Sequence, residues 1–131
     1  MRLSLFIVFL IAAIYLFAGD TMEARAAKPK LIYGTASYYS NSFNGKKTAN
    51  GEIYSHKKMT AACNVLPLGT WIKVTNLRNG KSVVVKTNDR LHTRMKRVVD
   101  LSREAAEKLG YVKSGLTRVR VEVLGKKKPE K

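Results

Sequence analysis

Apolar residues along this chain fall into two regimes. From Leu3 to Gly19 they run almost unbroken, with Ser4 the one polar interruption. From Tyr33 onward they come in short bursts that mostly alternate with polar residues, separated by clusters of Asn, Gly and Ser. Alternation puts successive side chains on opposite faces of a strand, so the second regime predicts β structure. Strands are expected in YGTASYY from Tyr33, in TWIKVTN over 70–76 with Ile72 and Val74 in phase, and in SVVVKTNDR over 82–90. Between the last two, LRNGK holds Asn79-Gly80, a pair that accepts the positive φ of a tight hairpin turn. RVVDL follows at Arg97, and the terminal TRVRVEVL sets Val119, Val121 and Val123 on one face against Arg118, Arg120 and Glu122 on the other.

One segment breaks the alternation. SREAAEKLG predicts a short helix, with Ser102 as its cap, Glu104 in the first turn, Lys108 in the last and Gly110 as the stop. SNSFNGKKTANGE, rich in Asn and Gly, reads as loop. Short strands, one central hairpin and one short helix indicate a mainly β fold, a small barrel rather than a sandwich or an α/β sheet.

The first regime has a different meaning. Arg2 precedes the apolar run and Ala24-Arg25-Ala26 follows it, the pattern of a secretory signal with an A-x-A cleavage site. The run also approaches the roughly 17–25 residues that cross a bilayer, so an uncleaved anchor is the alternative. Either reading puts the protein outside the cytoplasm, in the periplasm or cell envelope. The expected organisation is a signal over 1–26, a short basic linker over 27–32, one domain over 33–124 and a basic tail over 125–131.

The formal charge is +16. The signal segment carries Arg2 and Arg25 against Asp20 and Glu23, so its removal leaves this surplus intact. Such a charge favours an anionic partner. For an exported protein, carboxylate-bearing cell-wall polymer or transient contact with an anionic membrane surface fits better than nucleic acid, for which the scattered basic residues form no recognised motif. Cys63 is the single cysteine, so no internal disulfide forms and the fold rests on its apolar core. No metal-ligand spacing surrounds it, and neither a metal nor a cofactor is expected.

In chain order, GTASYYS, FNGKKTANGEIY, TAAC followed by LPLGT, VTNLRNGKSVVVKTNDR, VVDLSREAAEKLG and TRVRVEVL resemble the motifs of the RlpA-like (rare lipoprotein A) family. The resemblance covers nearly all of residues 33–124. It implies a six-stranded double-psi β-barrel with one short helix, a fold shared with expansins. It also implies an exported lytic transglycosylase that acts on peptidoglycan glycan strands, including strands stripped of their stem peptides. Such an enzyme breaks the bond between N-acetylmuramic acid and N-acetylglucosamine and leaves a 1,6-anhydro end. The alternative is a non-catalytic, expansin-like module that binds glycan or loosens the wall. Many members carry a C-terminal SPOR domain or a lipid-attachment cysteine. The stretch after Leu124 offers no counterpart of the first, and Cys63 lies too deep in the chain to be the second, so septal targeting and lipid anchoring are not implied. A monomer is expected.

The resemblance carries roles to individual positions. Asp89, in TNDR, matches the family's catalytic acid, and Glu52, in NGEIY, its second carboxylate. Strand phase bears on Asp89 independently. Counted back in twos it shares a face with Thr87, Val85 and Val83, so a regular strand carries it out of an apolar face, with Arg90, Asn88 and Lys86 opposite. An acid that is half-protonated at neutral pH sits about three units above the ordinary value of ~3.9, a demand of ~4 kcal/mol that surrounding positive charge opposes. The plain alternative is an Asp bonded to backbone at a strand end. Glu52 faces either groove or solvent. Asp100, aligned with a third family acid, is expected to bond turn amides.

Cys63 stands where many members have histidine, in TAAH. A neutral thiol holds a carboxyl only weakly, so Cys63 reads as a small semi-buried strand residue at the edge of the substrate site. His92, three residues past Asp89 where members often have Gly-Pro after the arginine, is a spacing-based candidate for the missing imidazole. Arg90 joins the substrate-binding set. Tyr38, Tyr39, Phe43, Tyr54 and Trp71 are available to stack on sugar rings or to fill the core, with Tyr39 and Tyr54 favoured for the groove.

Overall fold

The computed structural model describes residues 28–130. The expected signal segment lies outside them. Strands form at Leu31–Tyr38 (β1), Thr60–Ala62 (β2), Trp71–Asn76 (β3), Ser82–Asp89 (β4), Val99–Leu101 (β5) and Thr117–Gly125 (β6), with one helix at Arg103–Leu109 (α1). They close into a six-stranded barrel in the order β1-β5-β2-β4-β3-β6. β1 with β5 and β2 with β4 pair in parallel, and the remaining neighbours are antiparallel. β1 leads to β2 and β4 to β5, pairs that are not neighbours in the barrel, so long connections leave the carboxyl ends of β1 and β4. Those connections frame the groove described below.

The valine-rich alternation works as expected. Ile72, Val74, Val85, Val119 and Val121 are at most 1% exposed and meet Val99 and Leu101 in the barrel interior. The β3–β4 hairpin turns at Gly80, whose φ is 76°. β1 starts at Leu31, two residues before the alternation in the sequence declares itself, because its edge pairs with Glu122 and Val121 of β6. In β1, Gly34 is required by contact: a Cβ there would lie 2.9 Å from the Cβ of Val98.

Helix α1 is bounded as its residues dictate. Ser102 Oγ accepts from Ala105 N–H, and Gly110 ends the helix at φ 77° with its N–H on the carbonyls of Ala106 and Glu107. Ala105, Ala106 and Leu109 seal one end of the core. Buried Asn76 clamps this end: its Nδ2 donates to Leu109 O at 2.8 Å, and its Oδ1 accepts from Thr117 Oγ1 at 2.7 Å and from Arg78 N–H at 3.0 Å.

Register shifts twice, between Trp71 and Ile72 where β3 meets β6 and between Ala61 and Ala62 where β2 meets β4, and the second bears on the site. Against β2, Thr87 pairs with Ala61 but Asp89 pairs with Ala62, so Asn88 is an extra residue in β4. This bulge buries Thr87 and Asn88 together, at 0% and 2% exposure. The regular strand expected through Asp89 is therefore corrected: Asn88 does not face solvent, and Asp89 is re-aimed by the bulge at the barrel's end.

The Asn76 clamp gives a stability prediction. Asn76→Ala leaves the buried Thr117 hydroxyl unpaired and removes the acceptor of the Arg78 N–H, while Leu109 O keeps its bond from Asn79. The expected loss is about 2–4 kcal/mol, read as a lower urea midpoint at unchanged m-value.

Candidate active site

A groove of about 540 Å³ opens at the carboxyl ends of β1 and β4. Tyr38, Tyr39, Ser40 and Phe43 form one wall. Leu91, His92 and Met95 form the other, and Ala62, Asp89 and Asp100 lie between them. Its lining sets aromatic and aliphatic side chains beside charged ones, Arg90 and Arg97 as well as Asp89 and Asp100.

Asp89 is half-buried there, and three segments of the chain converge on its carboxylate. Tyr39 Oη donates to Oδ2 at 2.5 Å. Ala49 N–H and Arg90 N–H donate to Oδ1 at 2.9 and 2.8 Å. The two oxygens thus have different duties: Oδ1 takes two backbone amides, whereas Oδ2 has one donor. Among the described residues no cation lies within ion-pair distance of Asp89. The Arg90 guanidinium turns away and donates to the carbonyls of Cys63 and Leu66.

Tyr39 is fixed from behind. Its ring stacks on Tyr54 with centroids 4.1 Å apart and planes 14° from parallel, and Phe43 meets it edge-on at 5.6 Å. Burial, then the hydrogen bond to Asp89 and the charge of that carboxylate, push the Tyr39 phenol far above its ordinary range. It is a committed proton donor to Oδ2. Tyr54 is also raised, by burial, with the Arg103 N–H and charge pulling the other way. Its hydroxyl bonds His56 Nδ1 at 2.7 Å and accepts from Arg103 N–H at 3.3 Å.

The structure brings together Asp89, Tyr39, Arg90 and His92 along one groove and sets the other named residues apart from its lining. Tyr54, 2% exposed, backs Tyr39 instead of offering a stacking face. Cys63 is 1% exposed within the barrel core, so its thiol lies beneath the site and is not at the groove edge. Its backbone still contributes: Cys63 N–H donates to Asp89 O at 3.0 Å. Glu52 is exposed on the 47–53 loop and bonded to Asn50 Nδ2. That loop presents the Ala49 amide, and Asn50 N–H reaches Asn88 O at 3.2 Å, so Glu52 is tied to the site through its loop. His92 is exposed on the rim, its Nδ1 accepting from Arg94 N–H at 3.3 Å, without a hydrogen bond to Asp89.

Three features escaped the sequence. Tyr39 was marked for stacking, yet it is the hydrogen-bond partner of an acid 50 positions away. Ala49 acts only through its amide, which no side-chain pattern reveals. Asp100 faces the groove in a bidentate pair with Arg97, at 2.8 and 3.1 Å, instead of bonding turn amides. No group of three or more His, Cys, Asp or Glu among the described residues is placed to hold a metal ion.

A family model described as "Lytic transglycolase" matches residues 32–121. The chain belongs to this lytic transglycolase family. Members include the endolytic peptidoglycan transglycosylase RlpA of Pseudomonas aeruginosa, 52% identical over 100 residues, which are 76% of this chain and 28% of that protein. The Vibrio cholerae protein of the same name is 49% identical over 98 residues, 75% of this chain and 37% of its own. The chain thus spans about a third of the length of these curated relatives. Solved double-psi barrels agree with the fold. The Streptomyces papain inhibitor superposes with a TM-score of 0.59 at 19% identity, over 72% of this chain and 94% of that one. A Clavibacter michiganensis expansin gives 0.58 at 22%, over 78% and 53%.

The raised phenol makes a pH prediction for this family member. An unfolded tyrosine ionises near pH 10. Folded Tyr39 stays protonated beyond that, so its contribution is fully present below pH ~10 and is lost as pH rises above it. Urea midpoints should hold from pH 7 to 9 and then fall. Tyr39→Phe should reduce the alkaline slope by about 1.4 kcal/mol per pH unit.

Proposed function

We propose that this domain is an exported lytic transglycosylase that cleaves the bond between N-acetylmuramic acid and N-acetylglucosamine in peptidoglycan strands. The observation that carries this reading is the division of labour on the Asp89 carboxylate. With Oδ1 held by two amides, Oδ2, which has a single donor, is the oxygen left to exchange a proton with substrate. A sugar filling the groove excludes water, and burial under substrate favours a neutral carboxyl.

The reaction then needs one acid. Oδ2 gives its proton to the glycosidic oxygen as the bond from C1 to that oxygen breaks. The carboxylate so formed keeps the Tyr39 hydroxyl and two amides as donors, which stabilise the charge as it develops. Oδ2 next takes the proton of the 6-hydroxyl while that oxygen closes onto C1. One bond to C1 is lost and one gained, the proton returns to the acid, and no water is consumed. Tyr38, Phe43 and Leu91 supply apolar surface for the pyranose rings. Glu52 acts through its loop, by holding the hairpin that presents the Ala49 amide, and His92 contacts substrate from the rim. The boundaries that fit are a domain over 33–124, a leader over 1–26 and residence in the envelope.

Purified protein incubated with denuded glycan strands should release 1,6-anhydro-ended fragments, detected by mass spectrometry. Asp89→Asn should remove at least about 10³-fold of the rate, and Tyr39→Phe, which keeps the stack on Tyr54, about tenfold. Glu52→Gln, still able to accept from Asn50, should cost less than Asp89→Asn. Strand binding without fragments from the wild type would overturn the reading and leave an expansin-like binding module.

A further inference from the structure

A group of cations lies on strands that the groove does not use. In the closed order β1-β5-β2-β4-β3-β6, the groove lies at the ends of β1 and β4 and over β5 and β2, and the strands across the barrel are β3 and β6. Inward, β6 and β3 present Val119, Val121, Ile72 and Val74, all at most 1% exposed. Alternation therefore turns Arg118, Arg120 and Glu122 of β6 and Lys73 of β3 outward.

Register assembles these residues into one surface. Arg120 lies opposite Tyr33, Arg118 opposite Thr35, and Lys73 opposite Glu122. One strand further, Lys86 of β4 is opposite Trp71. Tyr33 is 56% exposed beside Arg120, so its ring is free to stack. The tail folds back onto the same face, with Lys128 Nζ 5.8 Å from the Trp71 ring. Glu122 is the lone acid in these outward rows, and no carboxylate among the described residues lies within ion-pair distance of Lys73, Arg118 or Arg120.

Unpaired cations beside an exposed tyrosine and a half-buried tryptophan match a polymer that is both anionic and made of pyranose rings. We propose that the outward face of β6 and β3, with Tyr33 and Trp71 at its margins, is a second docking surface for a carboxylate-bearing glycan strand. Its identity as peptidoglycan rests on the reading above. N-acetylmuramic acid freed of its peptide exposes a lactyl carboxylate in each disaccharide, so a denuded strand is a regularly spaced polyanion. The groove lies at one end of the barrel and this face on the outside of β6 and β3, so one domain holds a neighbouring strand while the groove engages another. Two such contacts raise retention on a sacculus well beyond either alone.

The test is made in an Asp89→Asn background, so cleavage does not enter the binding data. Binding to denuded strands is measured by co-sedimentation at 50 and 500 mM NaCl for the parent and for Lys73→Glu/Arg118→Glu/Arg120→Glu. A control, Lys57→Glu/Lys58→Glu/Lys113→Glu, makes the same change in net charge at exposed positions off this face. Thermal melts establish that each variant is folded. The expected result is at least about tenfold weaker binding for the face variant at low salt, with most of the salt sensitivity gone, and little change for the control. Strands whose lactyl carboxyls are capped as neutral amides should bind the parent as weakly as native strands bind the face variant.

Equal losses in face and control variants would mean that net charge alone drives binding, and would overturn the proposal. So would undiminished binding to amide-capped strands. Loss of binding to anionic phospholipid vesicles with glycan binding retained would make the face a membrane contact, which also overturns it. If wild-type protein releases no anhydro fragments while the face-specific, carboxylate-dependent binding persists, only the reading of the groove fails.

Discussion

The carboxylate of Asp89 is the point on which both the shape of the groove and its chemistry depend. Three stretches of chain that are far apart in sequence, at Tyr39, Ala49 and Arg90, each spend a donor on it. A partly buried carboxylate without donors would be costly, and loops without an anchor would not hold a cleft open. One group satisfies both demands. The bulge at Asn88 is what delivers it: a strand kept in register would send Asp89 to a different bearing, and neither the Tyr39 hydroxyl nor the Ala49 amide would meet it.

This anchoring is separate from the barrel's own stability. Tyr39, Tyr54, Ala62 and Leu91 form a small apolar cluster of their own, distinct from the valine-rich interior. The stack of Tyr39 on Tyr54, continued edge-on to His56, stiffens the groove wall without drawing on core packing. Groove residues can therefore vary while the six strands persist. The expansin and the papain inhibitor share this barrel at about 20% identity, which fits a scaffold whose fold and site are separately specified.

Much of the fold could be read along the chain because it is local. Ser102 and Gly110 bound a helix whose ends are satisfied within a few residues, Asn79-Gly80 makes a turn by its own backbone preference, and the valines of β3, β4 and β6 declare their faces by alternation. Asp89 and Tyr39 were also identifiable, the first by motif and the second as an aromatic beside a polar loop. What stayed hidden was non-local or carried by backbone. The β4 bulge exists because β2 pairs across it, β2 itself is three residues long, and the Ala49 amide has no side chain to announce it. Tyr54 was misread for a related reason: its neighbours in sequence are polar, but its ring is covered by Tyr39, which the sequence places 15 residues earlier.

The cysteine at position 63 reaches the groove through its backbone and not through its thiol. A histidine there would be expected to hold the acid through its ring. Here the thiol is enclosed in the core, and what position 63 offers is backbone: its N–H holds the carbonyl of Asp89 and its own carbonyl takes the Arg90 guanidinium. That second bond has an electrostatic consequence. A guanidinium occupied by the carbonyls of Cys63 and Leu66 is kept off the Asp89 carboxylate, in a protein whose overall positive charge would otherwise bring a cation to it. The side-chain donor to Oδ2 is then Tyr39, whose proton is held so firmly by burial that it can stabilise the carboxylate without surrendering to it.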